Sequence, residues 1–130
     1  MSRTALDKMG FKPGMTGWSL ARPEALAEAI ALPDTHGPVV DLIVAFVTMR
    51  AEVARRLDET LAHYRRGGGL WFAYPKRTST IPTDLSRDHG WEALAAHDML
   101  PVSLVAIDDD WSALRFRYRD EIAKLTRKSA

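Results

Sequence analysis

A basic, hydroxyl-rich loop at residues 76–80, KRTST, carries groups suited to binding a small anion. Lysine and arginine form charge-assisted hydrogen bonds to phosphate and carboxylate oxygens, and the helix start expected after the loop adds free N–H donors. The predicted site for an anionic ligand or acidic partner comprises Lys76, Arg77, Thr78, Ser79, Asp84 and Arg87. A solvated loop whose hydroxyls cap the next helix would use the same residues, so that alternative stays open.

The apolar run before this loop, residues 70–74, predicts a strand buried on both faces of a parallel sheet. We expect a parallel neighbour at residues 42–47 and an antiparallel strand at residues 112–117 beside the sheet. Open α/β sheets hold their ligands at the carboxyl ends of such strands. The basic loop is therefore expected at the ligand-binding edge.

Strands and helical segments alternate along most of the chain, and a tight turn of three aspartates, residues 108–110, joins the last two strands. This alternation predicts helices on both faces of a mostly parallel sheet, and the tight turn predicts an antiparallel hairpin. We expect one α/β, Rossmann-like, three-layer domain over residues 1–130, with about five strands and a C-terminal antiparallel hairpin. Residues 120–130 are expected to form a basic C-terminal helix or tail.

The longest helix is expected to begin at Thr48 as N-cap and to end at Arg65 and Arg66, before a glycine triplet at residues 67–69. Glycine commonly closes helices, and cations are favourable at the negative end of the helix dipole. Phosphate-binding glycine loops follow a strand and open a helix, whereas this triplet precedes a strand. We therefore interpret the triplet as a helix end.

Arginines alternate along the last predicted strand, at Arg115, Arg117 and Arg119. Alternate residues of a strand share one face, so the three guanidinium groups are expected on the same side of the sheet. Such a row can track phosphates or pair with an acidic partner. The alternative is a solvent-facing side of the sheet that pairs with the aspartates at 108–110 or with Asp120.

Asp84, Asp88 and His89 could face one another along a helix and hold a metal ion, with help from the aspartates at 108–110. Carboxylates in a first helical turn and in turns are far commoner, so we expect no metal site. The remaining histidines show no ligand spacing, and no serine lies in a nucleophile-elbow context. The sequence therefore indicates neither a metalloenzyme nor a serine hydrolase.

Composition limits the class of protein further. The formal net charge of +1 gives no overall field that would attract nucleic acid or a membrane. The absence of cysteine excludes disulfides and thiolate chemistry. The first residues lack the apolar core of a signal peptide, and no apolar run approaches the roughly 20 residues that a membrane span needs. We expect a cytoplasmic protein without membrane contact.

Three segments resemble an uncharacterised bacterial family known as domain of unknown function 3052. They are GFKPGM at residues 10–15, LWFAYPKRTSTIPTDLSRDHGW at 70–91 and AIDDDWSALRFR at 106–117. The resemblance would cover most of the chain, and it implies no assigned activity.

The element order also resembles a shortened class I methyltransferase domain, with that fold's first strand, one helix, its fourth and fifth strands and its closing hairpin. Such enzymes place a glycine-rich turn after the first strand, where this chain has Leu20, Ala21, Arg22, Pro23 and Glu24. Without glycine the backbone cannot approach a nucleotide, and Glu24 already occupies the helix end. We therefore expect neither S-adenosylmethionine nor NAD to bind there in the usual mode, and no cofactor.

The main functional interpretation is a small non-catalytic binding or regulatory module whose anionic ligand or acidic protein partner binds the loop after the central strand. One alternative is a divergent transferase that uses S-adenosylmethionine or a nucleotide. A second is a nucleic-acid accessory protein that uses the arginine-lined face. The chain has neither a basic net charge nor a recognisable stacking platform, which argues against nucleic acid.

Overall fold

The computed structural model describes residues 4–122, whose strands form one five-stranded sheet in the order β1-β2-β3-β5-β4. The strands are β1 (Gly17–Leu20), β2 (Val40–Phe46), β3 (Tyr64–Pro75), β4 (Met99–Ala106) and β5 (Trp111–Tyr118). The α-helices are α1 (Ala5–Lys8), α2 (Val53–Leu61) and α3 (Glu92–Ala96), with 3-10 turns at Glu24–Leu26 and Arg50–Glu52. Strands β1, β2 and β3 are parallel, and β5 is antiparallel to β3 and β4. The expected α/β architecture is confirmed.

Strands β2 and β3 form the buried centre of the sheet. Ile43 lies opposite Leu70 and Ala45 opposite Phe72 in parallel register, and all four side chains are fully buried. A strand buried on both faces needs apolar side chains at successive positions, which the run at residues 70–74 supplies. The antiparallel neighbour predicted at residues 112–117 is part of β5. All three strand predictions are therefore confirmed.

One face of the sheet, called the helix-covered face below, packs against α2 and α3. Leu57 of α2 and Leu94 of α3 are almost completely buried against it. Aromatic rings fill the centre of this layer, with the Phe72 and Phe116 centroids 5.9 Å apart in an edge-to-face arrangement and Trp91 at 5.3 Å from Phe116. Such pairs add to the stabilisation that burial provides.

The other face, called the N-terminal face below, is covered by the first part of the chain. Met9, which follows α1, packs there together with Leu26 and Ile30 against Val44 and Trp71. The helix whose first turn is expected to hold Glu24 is only a 3-10 turn at Glu24–Leu26, followed by irregular turns. Helical segments on both faces give the three layers predicted from the sequence.

The predicted end of the longest helix is wrong. Helix α2 ends at Leu61, and β3 already begins at Tyr64, so the basic pair and the glycine triplet lie within the strand. Arg65 forms an ion pair with Asp41, with 2.9 Å between Nη1 and Oδ1. Arg66 pairs with Asp120, with 2.7 Å between Nη1 and Oδ1. The two cations therefore tie neighbouring segments together and do not meet a helix dipole.

A bulge explains why glycine is needed at this point of β3. Val40 lies opposite Tyr64 and Leu42 opposite Gly69, so β3 has extra residues between these two pairs. A Cβ atom on Gly68 would lie 2.6 Å from the carbonyl oxygen of Asp41, closer than any side chain tolerates. Gly67 has a φ of +88°, in the left-handed region that glycine adopts freely. The triplet therefore allows the bulge and does not close a helix.

The predicted start of the longest helix also differs. A 3-10 turn at Arg50–Glu52 precedes α2, and Thr48 does not cap the helix. Instead the Thr48 N–H donates to Oε1 of Glu52 at 2.9 Å. This contact fixes the turn that leaves the carboxyl end of β2.

The two outer strands of the sheet, β1 and β4, differ in how far other segments cover them. On β1, the Ser19 N–H donates to the carbonyl of Pro33 at 2.8 Å, so a later segment lies along this edge. On β4, Val102 and Leu104 are 38% and 48% exposed.

The predicted C-terminal helix begins within the described chain, where residues 119–122 are helical. Its remaining residues, 123–130, lie outside the described part. Among residues 4–122 no helix has both the length and the apolar character needed to cross a membrane.

Candidate functional site

The carboxyl ends of β2 and β3 and the tip of the β4–β5 hairpin meet at one edge of the sheet. The hairpin reaches this edge because Trp111, at the start of β5, pairs with Pro75, at the end of β3. The Lys76 N–H then donates to the carbonyl of Asp110 at 2.7 Å. The basic loop therefore lies at the edge predicted for ligands.

The loop after β3 lines a polar cleft of about 510 Å³ that is open to solvent, called the loop cleft below. Hydroxyl groups, one guanidinium, one carboxylate and one imidazole line it. The lining residues are Arg77, Ser79, Thr80, Ile81, Pro82, Thr83, Asp84, Leu85, Ser86 and His89. Its volume lies within the range of roughly 300–1,000 Å³ that small-molecule sites occupy.

Two hydroxyls of the loop are used to hold its shape. Ser79 Oγ donates to Oδ1 of Asp110 at 2.9 Å and accepts the Ile81 N–H at 3.1 Å. The Thr83 hydroxyl donates to the carbonyl of Thr48 and accepts the Leu85 N–H. These bonds join the loop to the hairpin tip on one side and to the end of β2 on the other. Ser79 is therefore a structural part of the cleft wall.

Asp84 has a similar anchoring role. Its Oδ1 accepts the Arg50 N–H at 2.7 Å, which connects the loop to the 3-10 turn before α2. Its carboxylate also lines the loop cleft. Asp84 therefore offers a second oxygen to a ligand that carries a hydrogen-bond donor.

The cations of the predicted site are divided between two places. Arg77 is exposed and lines the loop cleft, whereas Lys76 and Thr78 lie beside it. Among residues 4–122, neither Lys76 nor Arg77 forms an ion pair through its side chain. Arg87 lies with Asp88 in smaller clefts next to β4. Arg77 is thus the cation that the structure brings to the loop cleft.

His89 and Ser86 are cleft residues that sequence reasoning did not assign to this site. His89 Nδ1 lies 3.1 Å from Ser86 Oγ, and the backbones of the two residues also pair. The sequence signal for this pair is the spacing of three residues between Ser86 and His89 in a turn rich in polar residues.

No metal cluster forms from the candidate carboxylates. Within the described chain, residues 4–122, no group of three metal-ligating side chains comes together. Asp108 accepts the N–H groups of Asp110 and Trp111 at 2.8 Å each, as an aspartate in a turn does.

Two histidines that show no ligand spacing in the sequence contact each other in the structure. The His36 and His63 ring centroids are 4.0 Å apart, and His36 lies 4.1 Å from Trp18. The Nδ1 atom of each imidazole lies within 2.9 Å of a backbone carbonyl, that of Gly37 for His36 and that of Pro38 for His63. The stack lies at the amino ends of β1 and β2, away from the loop cleft.

The turn after β1 has a closed structure. Arg22 Nη1 donates to the carbonyls of Ile30 and Leu32 at 2.8 and 2.9 Å, so this side chain is committed to the protein. Ala21 has a φ of 63°, in the left-handed region that glycine usually occupies.

The three arginines of β5 do not form a continuous row. Arg119 lies beyond the strand and pairs with Asp98, with 2.8 Å between Nε and Oδ1. Arg115 and Arg117 are half-buried, and Arg115 Nη2 donates to the carbonyl of Gly68 at 2.9 Å. Among residues 4–122, none of the three arginines forms an ion pair with the aspartates at 108–110, and Asp120 pairs with Arg66.

No protein-family model matches the chain, and no curated protein does. Solved structures are similar in fold. The B. subtilis tRNA methyltransferase TrmK matches with a TM-score of 0.51 and 10% identity over 95% of this chain and 68% of its own. A Streptococcus agalactiae protein of the NADB-Rossmann superfamily matches with a TM-score of 0.49 and 11% identity, over 91% of this chain and 69% of its own.

The fibrillarin pre-rRNA processing protein of Methanococcus jannaschii matches with a TM-score of 0.46 and 18% identity, over 80% of this chain. This chain spans only 56% of that fibrillarin. The likeness to TrmK shows a methyltransferase-like Rossmann fold, in agreement with the strand order. The resemblance to domain of unknown function 3052 stays a prediction.

Proposed function

We propose that the chain is a methyltransferase-fold domain that binds a small ligand through an anionic group in the loop cleft. The observation that supports this most directly is Arg77, a cation without an ion-pair partner among residues 4–122, in a polar cleft at the carboxyl edge. In open α/β sheets this edge is where ligands bind.

The charges of the cleft restrict the ligand. Arg77 favours a phosphate or carboxylate group, and Lys76 beside the cleft adds to the positive potential. Asp84 on the cleft wall would repel a second negative charge, and its carboxylate favours a hydroxyl or amino donor. The ligand we propose therefore carries an anionic group at one end and hydrogen-bond donors at the other.

The double substitution of Lys76 and Arg77 to alanine tests this proposal. A panel of phosphate-bearing and carboxylate-bearing compounds is first screened by thermal unfolding of the wild type. A ligand at about 100 times its dissociation constant adds about 2.7 kcal/mol to the free energy of unfolding. The double variant should lose this gain. It should itself cost under about 1 kcal/mol of stability, because exposed charges contribute little.

The matched control is Arg55→Ala, which removes an exposed cation from α2. It should leave ligand binding unchanged. A ligand that stabilises the double variant as much as the wild type contradicts the proposal. Unfolding of the double variant would show instead that the pair has a structural role.

A second candidate is a divergent transferase that uses S-adenosylmethionine or a nucleotide. The left-handed backbone of Ala21 supports it, because this fold usually has a glycine turn after its first strand. The hydrogen bonds of Arg22 to two carbonyls argue against it, since the side chain closes the turn. We expect titration calorimetry to detect no binding of S-adenosylmethionine or NAD. Micromolar binding that Arg22→Ala abolishes would favour the transferase.

A further inference from the structure

Three buried hydrogen-bond donors on the N-terminal face find no acceptor in the part of the chain that the structure describes. Trp71 Nε1, Arg115 Nε and Arg117 Nε are buried nitrogen atoms without a partner among residues 4–122. Trp71 and Arg115 are directly opposite each other on β3 and β5. Arg117 lies two residues further along β5 and so shares their face. The three donors are therefore neighbours.

The glycine triplet makes room for these donors. A Cβ atom on Gly69 would lie 3.0 Å from Trp71 Nε1, so the absence of a side chain leaves space beside the indole N–H. Arg115 Nη2 donates to the carbonyl of Gly68, so its guanidinium lies over the same stretch of backbone. The Trp71 and Arg115 donors thus lie around the segment formed by Gly68 and Gly69.

The nearby carboxylates are engaged elsewhere. Glu121 accepts the Tyr64 hydroxyl at 3.1 Å and the N–H groups of Gly67 and Tyr118 at 2.8 and 2.9 Å. Asp120 pairs with Arg66. Burial lowers the pKa of the Arg115 guanidinium and the positive charge of Arg117 lowers it further, whereas Tyr64 and Glu121 oppose this shift. Within the described chain, both guanidiniums therefore lack a paired carboxylate.

We propose that Trp71, Arg115 and Arg117 bind a small oxyanion, a phosphate or carboxylate group, on the N-terminal face. An indole N–H only donates, and a guanidinium has donors but no acceptor, so the missing partner is an acceptor. Buried donors in proteins are almost always hydrogen-bonded, so three unsatisfied donors on one face favour a bound acceptor. Two guanidiniums favour the ion. This site is separate from the loop cleft, which lies at the opposite ends of the strands.

The indole N–H resonance of Trp71 reports on this site in a ¹⁵N–¹H NMR titration of the full chain. Inorganic phosphate and acetate are added in separate arms at constant ionic strength, which distinguishes a phosphate from a carboxylate. We expect a saturable shift of the Trp71 indole and of the Nε–H groups of Arg115 and Arg117. Trp18 is the internal control, because its indole N–H is also buried without an acceptor among residues 4–122 but lies elsewhere, on β1.

Arg117→Gln should weaken binding at least tenfold, whereas Arg55→Gln and Arg77→Ala should leave it unchanged. The Arg77 control separates this site from the loop cleft. The proposal is overturned if neither anion shifts Trp71 more than Trp18. It is equally overturned if Arg117→Gln keeps the wild-type titration curve. Arg115→Gln gives a second test. If Arg115→Gln does not fold, the titration of Arg117→Gln alone decides whether the oxyanion binds here.

Discussion

Two buried tryptophans, one on each face of the sheet, differ in their hydrogen bonding. On the helix-covered face, the Trp91 ring packs at 5.3 Å from Phe116 and 5.4 Å from Tyr74, and its Nε1 donates to the carbonyl of Ser86 at 2.7 Å. On the N-terminal face, Trp71 is just as buried, but its Nε1 has no acceptor among residues 4–122.

The difference teaches that burial and hydrogen bonding are separate requirements. At Trp91 both are met, because the loop after β3 brings the Ser86 carbonyl to the indole. At Trp71 only burial is met, and this indole and the Nε groups of Arg115 and Arg117 have no acceptor among residues 4–122. Capacity for binding is therefore expected where the fold is least complete in hydrogen bonds.

Phe116→Ala should have the largest effect on stability, because it removes a ring from the centre of the helix-covered face. Phe116 is fully buried between Phe72 and Trp91, and its truncation should cost about 3–5 kcal/mol in the free energy of unfolding. The control is Leu104→Ala on the exposed edge strand, which should change stability by under about 0.5 kcal/mol. Urea denaturation gives both values. Similar losses in the two variants would contradict the assignment of the aromatic layer as the main core.

Gly68→Ala tests the bulge that makes room on the N-terminal face. The added methyl group would lie 2.6 Å from the carbonyl oxygen of Asp41, so the backbone must shift. We expect a loss of about 1–3 kcal/mol, as in other overpacked sites. Gly37→Ala is the matched control, since no atom lies within 4 Å of its Cβ position. Equal stability of the two variants would show that the bulge tolerates a side chain.

The sequence predicts the helix-covered face well and the N-terminal face poorly, for physical reasons. Successive apolar residues in β2 and β3 have one structural solution, a strand buried on both sides, and the prediction that the two strands are parallel neighbours is confirmed. Basic residues followed by glycine, such as Arg66 and Gly67, occur both at helix ends and in bulges. Only the tertiary contact with Asp41 decides between them.

The candidate site is predicted only in part, because its bonds connect distant segments. The position of the loop after β3 follows from local pattern. The partners of its hydroxyls, Asp110 for Ser79 and Thr48 for Thr83, are more than 30 residues away in sequence. The stack of His36 and His63 likewise depends on a fold that brings two loops together.

The contribution of Asp41, which lies beside the glycine bulge, to the free energy of unfolding depends on pH. The Thr16 N–H, donating at 2.9 Å, holds the pKa of this carboxyl below its usual value, and Arg65 lowers the pKa further. A lowered folded pKa means that the stabilisation is present above the unfolded pKa of about 3.9 and is lost as the pH falls through the folded value.

Asp41→Asn should therefore lose about 1.5 kcal/mol at pH 7, because hydrogen bonds to a charged group are replaced by neutral ones. The difference in unfolding free energy between this variant and the wild type should vanish below the folded pKa. There the Asp41 carboxyl is protonated in both the folded and the unfolded state. Denaturation at a series of pH values measures this gap. Asp58→Asn, which changes an exposed carboxylate of α2, serves as control. A gap that is the same at every pH would show that the ion pair contributes nothing.

The smallest effect tests the comparison of the tryptophans directly. Trp91→Phe and Trp71→Phe remove the same atoms from two buried positions, which are 8% and 1% exposed, so the loss of apolar volume is similar. Trp91→Phe also leaves the Ser86 carbonyl without its partner, whereas Trp71→Phe removes an N–H that has no acceptor among residues 4–122. In a buffer without oxyanions, Trp91→Phe should therefore be less stable than Trp71→Phe by about 1 kcal/mol. Added phosphate should narrow this difference, because it binds more tightly to, and so stabilises more, the variant that keeps the Trp71 donor. Equal stability of the two variants in both buffers would mean that the hydrogen bond of the Trp91 indole contributes nothing and that phosphate does not bind the Trp71 indole.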